Sequence, residues 1–253
     1  MKKREFLEGV ILFFPAATVL QTLADKAEGK EVSAETSSGP GTKGRWYGMG
    51  IEVDKCIGCN RCVEACKTEN NVPQEPFYFR TWIERYQIKS NGDTTVECIS
   101  ITPREGAVPP ADDPDVVRTF FVPKLCNQCA NPPCVQVCPV GATFQTKDGV
   151  VLVDEKRCIG CRYCIQACPY GARYLNPYTR TAEKCTFCYH RISKDQLPAC
   201  VEVCPTQARI FGDLNSNASR LVRFQRVNTI NVLKPDLNTE PKVRYAKLDG
   251  EVR

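Results

Sequence analysis

The chain has 253 residues, a formal net charge of +5 and a single histidine, His190. That length holds one large domain or two small ones, and an apolar share of 42% excludes wholesale disorder. One histidine excludes chemistry built on several imidazoles, whereas seventeen cysteines are several times the usual share for such a chain.

The N-terminus reads as an address. Met1 to Leu7 is basic and then apolar, Val10 to Leu23 is mostly apolar, and Asp25 to Gly44 is polar. The apolar stretch is shorter than the ~20 residues that span a bilayer as a helix. Basic, apolar and polar regions in that order predict an export signal over 1–34, against the alternative of an amphipathic helix. Lys3-Arg4-Glu5-Phe6-Leu7 resembles the twin-arginine signature, with Lys3 where the first arginine belongs. That route carries folded proteins, which suits a chain that must take up metal before export. Residues 35–44, with Ser37-Ser38-Gly39-Pro40-Gly41, are expected to be a flexible linker.

Sixteen cysteines then fall into four groups of four. They are Cys56, Cys59, Cys62 and Cys66; Cys126, Cys129, Cys134 and Cys138; Cys158, Cys161, Cys164 and Cys168; and Cys185, Cys188, Cys200 and Cys204. The third group is the bacterial ferredoxin run with its closing proline, Pro169. Three cysteines at two-residue gaps lie on one tight loop and converge on three corners of a cube. The fourth, three residues on, reaches a neighbouring cluster. Pro139 and Pro205 close the second and fourth groups in the same way, while Lys67 follows Cys66.

Zinc, disulfides and catalytic redox pairs are the competing readings. Zinc needs only two Cys-x2-Cys pairs and leaves the third cysteine unexplained. Cysteines so close on one loop do not readily bridge, and catalytic pairs do not come in fours. Iron–sulfur clusters explain the whole pattern. With sixteen thiolates around four cationic cores the net charge falls below zero, so the apparent basicity is no evidence for a nucleic-acid partner. Cys98, left over in an apparent strand, reads as a buried small hydrophobe.

Groups two and three are near neighbours and pair as one module; groups one and four pair across the chain. Exchange of fourth ligands then predicts four cages. These are Cys56, Cys59, Cys62 with Cys204; Cys185, Cys188, Cys200 with Cys66; Cys126, Cys129, Cys134 with Cys168; and Cys158, Cys161, Cys164 with Cys138. The repeat reads as strand, cysteine loop, short helix and strand, with turns at Gly141-Ala142, Gly171-Ala172 and Gln207-Ala208.

The expected fold class is α+β: two ferredoxin-like modules in one chain, each with two [4Fe–4S] clusters, and an inserted β-hairpin and loop. Residues 45–66 and 183–215 make the first module and 119–182 the second. Residues 67–118 hold the insertion: strands over Phe77–Gln87 and Thr94–Ile101, a turn at Asn91-Gly92, and a Pro- and acid-rich loop. Residues 216–253 are a surface helix and an extended tail free to wrap a neighbour. Gly48-Met49-Gly50 lacks the third glycine of a dinucleotide fingerprint, and His190 reads as a hydrogen-bond donor beside Cys188.

Across about residues 45–245 the chain resembles the four-cluster iron–sulfur electron-transfer subunits of membrane-bound oxidoreductases. The likeness is carried by Cys56-Ile57-Gly58-Cys59, Cys126-Asn127-Gln128-Cys129, Asn131-Pro132-Pro133-Cys134, Cys158-Ile159-Gly160-Cys161 and Lys184-Cys185-Thr186-Phe187-Cys188, with Pro198-Ala199-Cys200, Phe211-Gly212-Asp213-Leu214 and Leu233-Lys234-Pro235. Such subunits serve molybdopterin enzymes that reduce polysulfide, tetrathionate, arsenate or dimethyl sulfoxide, and Dsr-type and heterodisulfide-reductase-like menaquinol complexes. The resemblance implies a non-catalytic component in anaerobic respiration. It would relay electrons between a quinone-reactive integral membrane subunit and a catalytic, molybdopterin-type, or cytochrome subunit. With the export signal read above, the expected place is the exported (periplasmic or extracytoplasmic) face of the cytoplasmic membrane, held there by partner subunits. All sixteen ligands are present, so four full [4Fe–4S] clusters are expected. A free polyferredoxin, an enzyme with a vacant iron and a zinc scaffold are the alternatives.

Overall fold

The computed structural model describes residues 44–75, 77–100 and 114–252. The expected export signal and all of the linker except Gly44 lie outside them, as does most of the Pro- and acid-rich loop.

The central sheet draws its strands from both ends of the chain. It runs β10 (Ile230–Asn231), β11 (Val243–Ala246), β1 (Tyr47–Glu52) and β9 (Arg209–Asp213). β1 lies parallel to β11, with Met49 opposite Val243, and antiparallel to β9, with Gly50 opposite Ile210. Strands on both sides and burial on both faces explain why Tyr47 to Ile51 carries no polar alternation. The two glycines of Gly48-Met49-Gly50 serve packing. A Cβ at Gly50 would meet the Phe224 ring at 2.6 Å, so glycine lets α6 (Arg220–Val227) close on the sheet. The Ser219 hydroxyl caps that helix by accepting from Leu221 N–H, and Leu221 and Phe224 are its buried face.

The described tail, expected to be free, ends in the chain's own central sheet. Val243, Tyr245 and Ala246 have no exposure, and the Tyr245 hydroxyl donates to the Pro123 carbonyl at 3.1 Å. An apolar alternation ending in a parallel strand pairs with β1, and buried backbone needs that partner.

A second sheet has the order β3 (Thr94–Cys98), β2 (Thr81–Lys89), β4 (Val116–Leu125), all antiparallel. Asn91-Gly92 turns β2 into β3, with Gly92 at φ 87°. Tyr86 and Phe120 face each other across β2 and β4 with stacked rings 5.2 Å apart. β4 spans residues 118 and 119, and its buried end, Val122 to Leu125, delivers Cys126. Two short hairpins complete the strands: β5 (Thr143–Gln145) with β6 (Val151–Val153), and β7 (Arg173–Leu175) with β8 (Ala182–Lys184).

The cysteine-bearing helices are mostly single turns: α2 (Pro133–Gln136), α3 (Tyr163–Gln166), α4 (Tyr189–Ile192) and α5 (Ala199–Glu202). Of these, α2, α3 and α5 stop just before a Cys-Pro, because proline bars the preceding residue from the helical region. After Cys66 there is no proline, and the nine-residue α1 (Arg61–Glu69) runs on for three more residues.

Candidate metal centres

The cysteine loops coil by left-handed backbone. Gly58 and Gly160, inside the two Cys-Ile-Gly-Cys runs, sit at φ 70° and 69°. Asn60, Arg162 and Cys188 precede α1, α3 and α4 in the same region. Each loop therefore reverses at once and enters its helix with a cysteine in or beside the first turn.

Two cavities gather cysteines from remote parts of the chain. One is lined by Cys56, Cys59, Cys62 and Cys204, with Ile83, Pro123 and Arg209. The other is lined by Cys66, Cys185, Cys188 and Cys200, with Met49, Leu125 and Phe187. The packing of α1 on α5 brings them together. In the other half, the thiol neighbours of Cys129 are Cys126, Cys134 and Cys168. Cys158, Cys161 and Cys164 share one loop. Cys138 follows α2, which packs on α3, the bearer of Cys164. Among the described residues no three Cys, His, Asp or Glu side chains close on a point as the ligands of a single ion do.

Burial pushes the Cys185 and Cys129 thiols up to about 12, and Cys56 and Cys200 to about 11. The protein environment alone thus favours thiols here, and metal binding has to release protons. At Cys138 burial acts upward too, but backbone N–H groups of Thr143, Val140 and Ala142 hold the thiol below its ordinary value. Cys59 and Cys161 are exposed, next to exposed Ile57 and Ile159.

Buried polar groups surround the sulfurs. Arg173 Nη2 donates to Cys134 Sγ at 3.0 Å, and Arg209 Nη2 to Cys62 Sγ at 3.4 Å. Asn70 Nδ2 reaches Cys66 Sγ at 3.6 Å and Cys188 Sγ at 3.7 Å. Gln128 ties the two halves, giving Nε2–H to the Cys185 carbonyl and taking Val151 N–H, both at 2.7 Å. Lys184, fully buried, donates to the carbonyls of Val151 and Cys185. Sequence reading treats Arg173 and Arg209 only as parts of a turn into a strand. The signal it passes over is an arginine at the same step after Cys168 and Cys204.

Two expectations need correction. His190 does not serve Cys188; its Nε2 pairs with Glu69 Oε1 at 2.6 Å on the surface, beside Arg191 on Glu69 Oε2 at 2.8 Å. The longer α1 places that carboxylate within reach. Cys98 is half-buried, not core: it ends β3 and lines an open surface cavity with Phe77, Phe79 and Trp82.

The donor set fits iron–sulfur clusters. Two cavities offer four cysteines each and no competing histidine or carboxylate. Buried Arg209 Nη1 and both polar ends of the Asn127 amide have no hydrogen-bond partner among the described residues. The N–H donors among them, Arg209 Nη1 and Asn127 Nδ2, lie beside cysteine loops and match the sulfur-rich surface of a cluster.

Comparison with known proteins agrees. Two 4Fe-4S dicluster domain models match, over residues 55–142 and 117–214, and together they take in all sixteen grouped cysteines. Two dicluster domains mean four [4Fe–4S] clusters. The chain is 47% identical over 205 residues to the B component of tetrathionate reductase from Salmonella typhimurium, covering 80% of this chain and 73% of that one. It is 36% identical to the B component of polysulfide reductase from Wolinella succinogenes, covering 78% and 92%. It is 33% identical to the Hdr-like menaquinol oxidoreductase iron–sulfur subunit 1 of Archaeoglobus fulgidus, covering 99% and 100%. No helix among the described residues is long and apolar enough to cross a membrane. With its cysteine cages, its two dicluster domains and these relatives, the chain belongs to the family of four-cluster iron–sulfur electron-transfer subunits of oxidoreductase complexes.

Proposed function

We propose that the chain relays single electrons in an anaerobic respiratory complex, between a quinone-reactive membrane subunit and a catalytic or cytochrome subunit. Its place is the exported face of the cytoplasmic membrane, which the basic–apolar–polar N-terminus supports. The relatives named for tetrathionate, polysulfide and menaquinol reactions support the kind of partner. Residues 45–66 with 183–215, and residues 119–182, are the two modules in this reading, with 67–118 inserted between them.

The observation that carries the ligand assignment is the pair of cavities lined by Cys56, Cys59, Cys62, Cys204 and by Cys66, Cys185, Cys188, Cys200. Each set takes three cysteines from one group and one from the other, as ligand exchange requires. Cys126, Cys129, Cys134 and Cys168 form the third set, and Cys158, Cys161, Cys164 and Cys138 the fourth. When bound, the clusters supply reversible one-electron oxidation and reduction. The protein's part is to hold the thiolates, exclude water with Met49, Ile83, Leu125 and Phe187, and place donors at the sulfurs. Cys59 and Cys161, exposed beside Ile57 and Ile159, offer the points where a partner approaches closely.

Iron and acid-labile sulfide in anaerobically purified full-length protein test the cofactor, with about sixteen of each per chain expected. The ligand sets are tested by paired variants read by electron paramagnetic resonance. Cys66→Ser should remove the same signal as Cys185→Ser; removal of the signal lost in Cys56→Ser would refute the exchange. Co-purification with an integral membrane subunit from solubilised membranes tests the partner.

A further inference from the structure

We propose that Arg173 and Arg209 are a matched pair of potential-setting residues, each a fixed positive charge between the two cysteine cages of its own module. The inference rests on the ligand sets assigned above. The two arginines hold equivalent places in the repeat. Each is the fifth residue after the last cysteine of a Cys-Pro, Cys168 or Cys204, and each opens a strand, β7 or β9. Each reaches the third cysteine of the opposite group: Arg173 touches Cys134 at 3.0 Å and Arg209 touches Cys62 at 3.4 Å. Each guanidinium is steadied by a threonine, Thr143 at 3.4 Å for Arg173 and Thr81 at 2.8 Å for Arg209. The second cage of each module lies close as well. Cys164 is among the charge neighbours of Arg173, and Cys200 among those of Arg209.

Both side chains are nearly sealed, at 5% and 3% exposure. A buried guanidinium ordinarily needs a carboxylate, because an uncompensated charge in the interior is costly. Among the described residues the main charge neighbours of both arginines are cysteines, with no carboxylate among them, and Arg209 Nη1 has no hydrogen-bond partner. The anionic groups within reach are the cysteine sulfurs. A third Cys-Pro gives the contrast: the fifth residue after Cys138 is Thr143, so each module has one arginine at this step and not two.

The consequence is electrostatic. Reduction adds one negative charge to a thiolate-ligated cluster, and a fixed cation in a dry interior favours that state. Arginine keeps its charge under all working conditions. Each module thus receives an upward bias on both of its clusters, greater on the one whose cysteine the guanidinium touches.

Redox titration of the anaerobically purified full-length protein, followed by electron paramagnetic resonance, tests this in Arg173→Gln, Arg209→Gln and the two arginine-to-lysine variants. With four clusters retained, Arg209→Gln should lower two of the four midpoints and Arg173→Gln the other two. At the wild-type midpoint the reduced fraction relative to oxidised should fall about tenfold, a shift of 59 mV for one electron. The lysine variants should stay within that tenfold of the wild type. Unchanged midpoints in the glutamine variants, or equal movement of all four, would overturn the proposal. Should a glutamine variant lose iron, the lysine variant decides. Retained clusters at near-native potential support the fixed charge, and cluster loss there too assigns the arginine to shape alone and overturns it. A wild-type protein lacking four clusters would refute the ligand sets instead, and iron content separates the two failures.

Discussion

The two halves of the molecule carry the same cysteine phrase and close it by different means. Groups two and three lie within one continuous stretch, and the short hairpins β5–β6 and β7–β8 fold it on itself. Groups one and four lie far apart in the chain, with groups two and three between them. Their junction needs a longer helix, a four-stranded sheet drawn from both ends, and side-chain ties across it: Glu69 to Arg191 and His190, and Asn70 to Cys66 and Cys188. A ligand pattern specifies what is bound, while sequence separation sets how much tertiary structure is needed to assemble it. Closing a long loop costs conformational entropy that local pairing avoids.

Removing ligands exposes that difference most strongly. Cys200 is buried in the cavity that joins the two chain ends, whereas Cys161 lies on an exposed loop of the local half. Cys200→Ala should lose its cluster and also unfold the sheet, at a cost on the order of several kcal/mol, since binding energy there is folding energy. Cys161→Ala should lose one cluster and keep the fold. Thermal unfolding by circular dichroism, set beside iron content, reads both; equal melting temperatures would erase the distinction.

A smaller effect probes the link between Arg80, just before β2, and the local half. Glu183, on β8 and only 7% exposed, takes Arg80 at 3.0 Å and Asn176 at 2.6 Å, and also the Tyr174 hydroxyl. Glu183→Gln leaves Arg80 buried without its counter-charge and should cost about 3–5 kcal/mol. Denaturant titration of the holoprotein measures it, and a loss under about 1 kcal/mol would mean that water reaches Arg80.

Lys67→Pro tests why the distant half has the longer helix. It installs the Cys-Pro of the other three groups at Cys66, inside α1. Proline there removes a helical hydrogen bond and should cost about 3 kcal/mol. Glu69 should swing away from Arg191 and His190, weakening the Cys66, Cys185, Cys188 and Cys200 cage before any other. An unchanged melting temperature would show that the final turn of α1 adds nothing.

Much of this was legible in the residues alone. The cysteine spacing pointed to the cluster type, and the Cys-Pro steps to the short helices at Val135, Ile165 and Val201. The turn at Asn91-Gly92 and the strand starts at Thr143, Arg173 and Arg209 follow the small residues before them. Three features were not legible, for physical reasons. β4 carries Val, Arg, Thr and Phe without clean alternation, because one half is exposed and the other buried. The tail strand Val243–Ala246 is too short to announce a parallel partner at the far end of the described chain. Arg173 and Arg209 look like ordinary strand residues until the fold sets them against sulfur.

The mildest prediction concerns that tail. Tyr245 has no exposure, and its one hydroxyl bond crosses from β11 to the Pro123 carbonyl at the end of β4, just before Cys126. Tyr245→Phe keeps the ring in place and removes only that bond, leaving a buried carbonyl with one partner fewer. A loss of about 1 kcal/mol follows. Because β4 leads into the local half and β11 pairs with the first strand of the distant one, the bond couples the two. Amide exchange should quicken at Leu125 and Cys126 and at Val243 alike. Faster exchange at Val243 alone would mean that the halves are joined through Gln128 and Lys184, which tie β6 to Cys185, and that the tail serves only its own sheet.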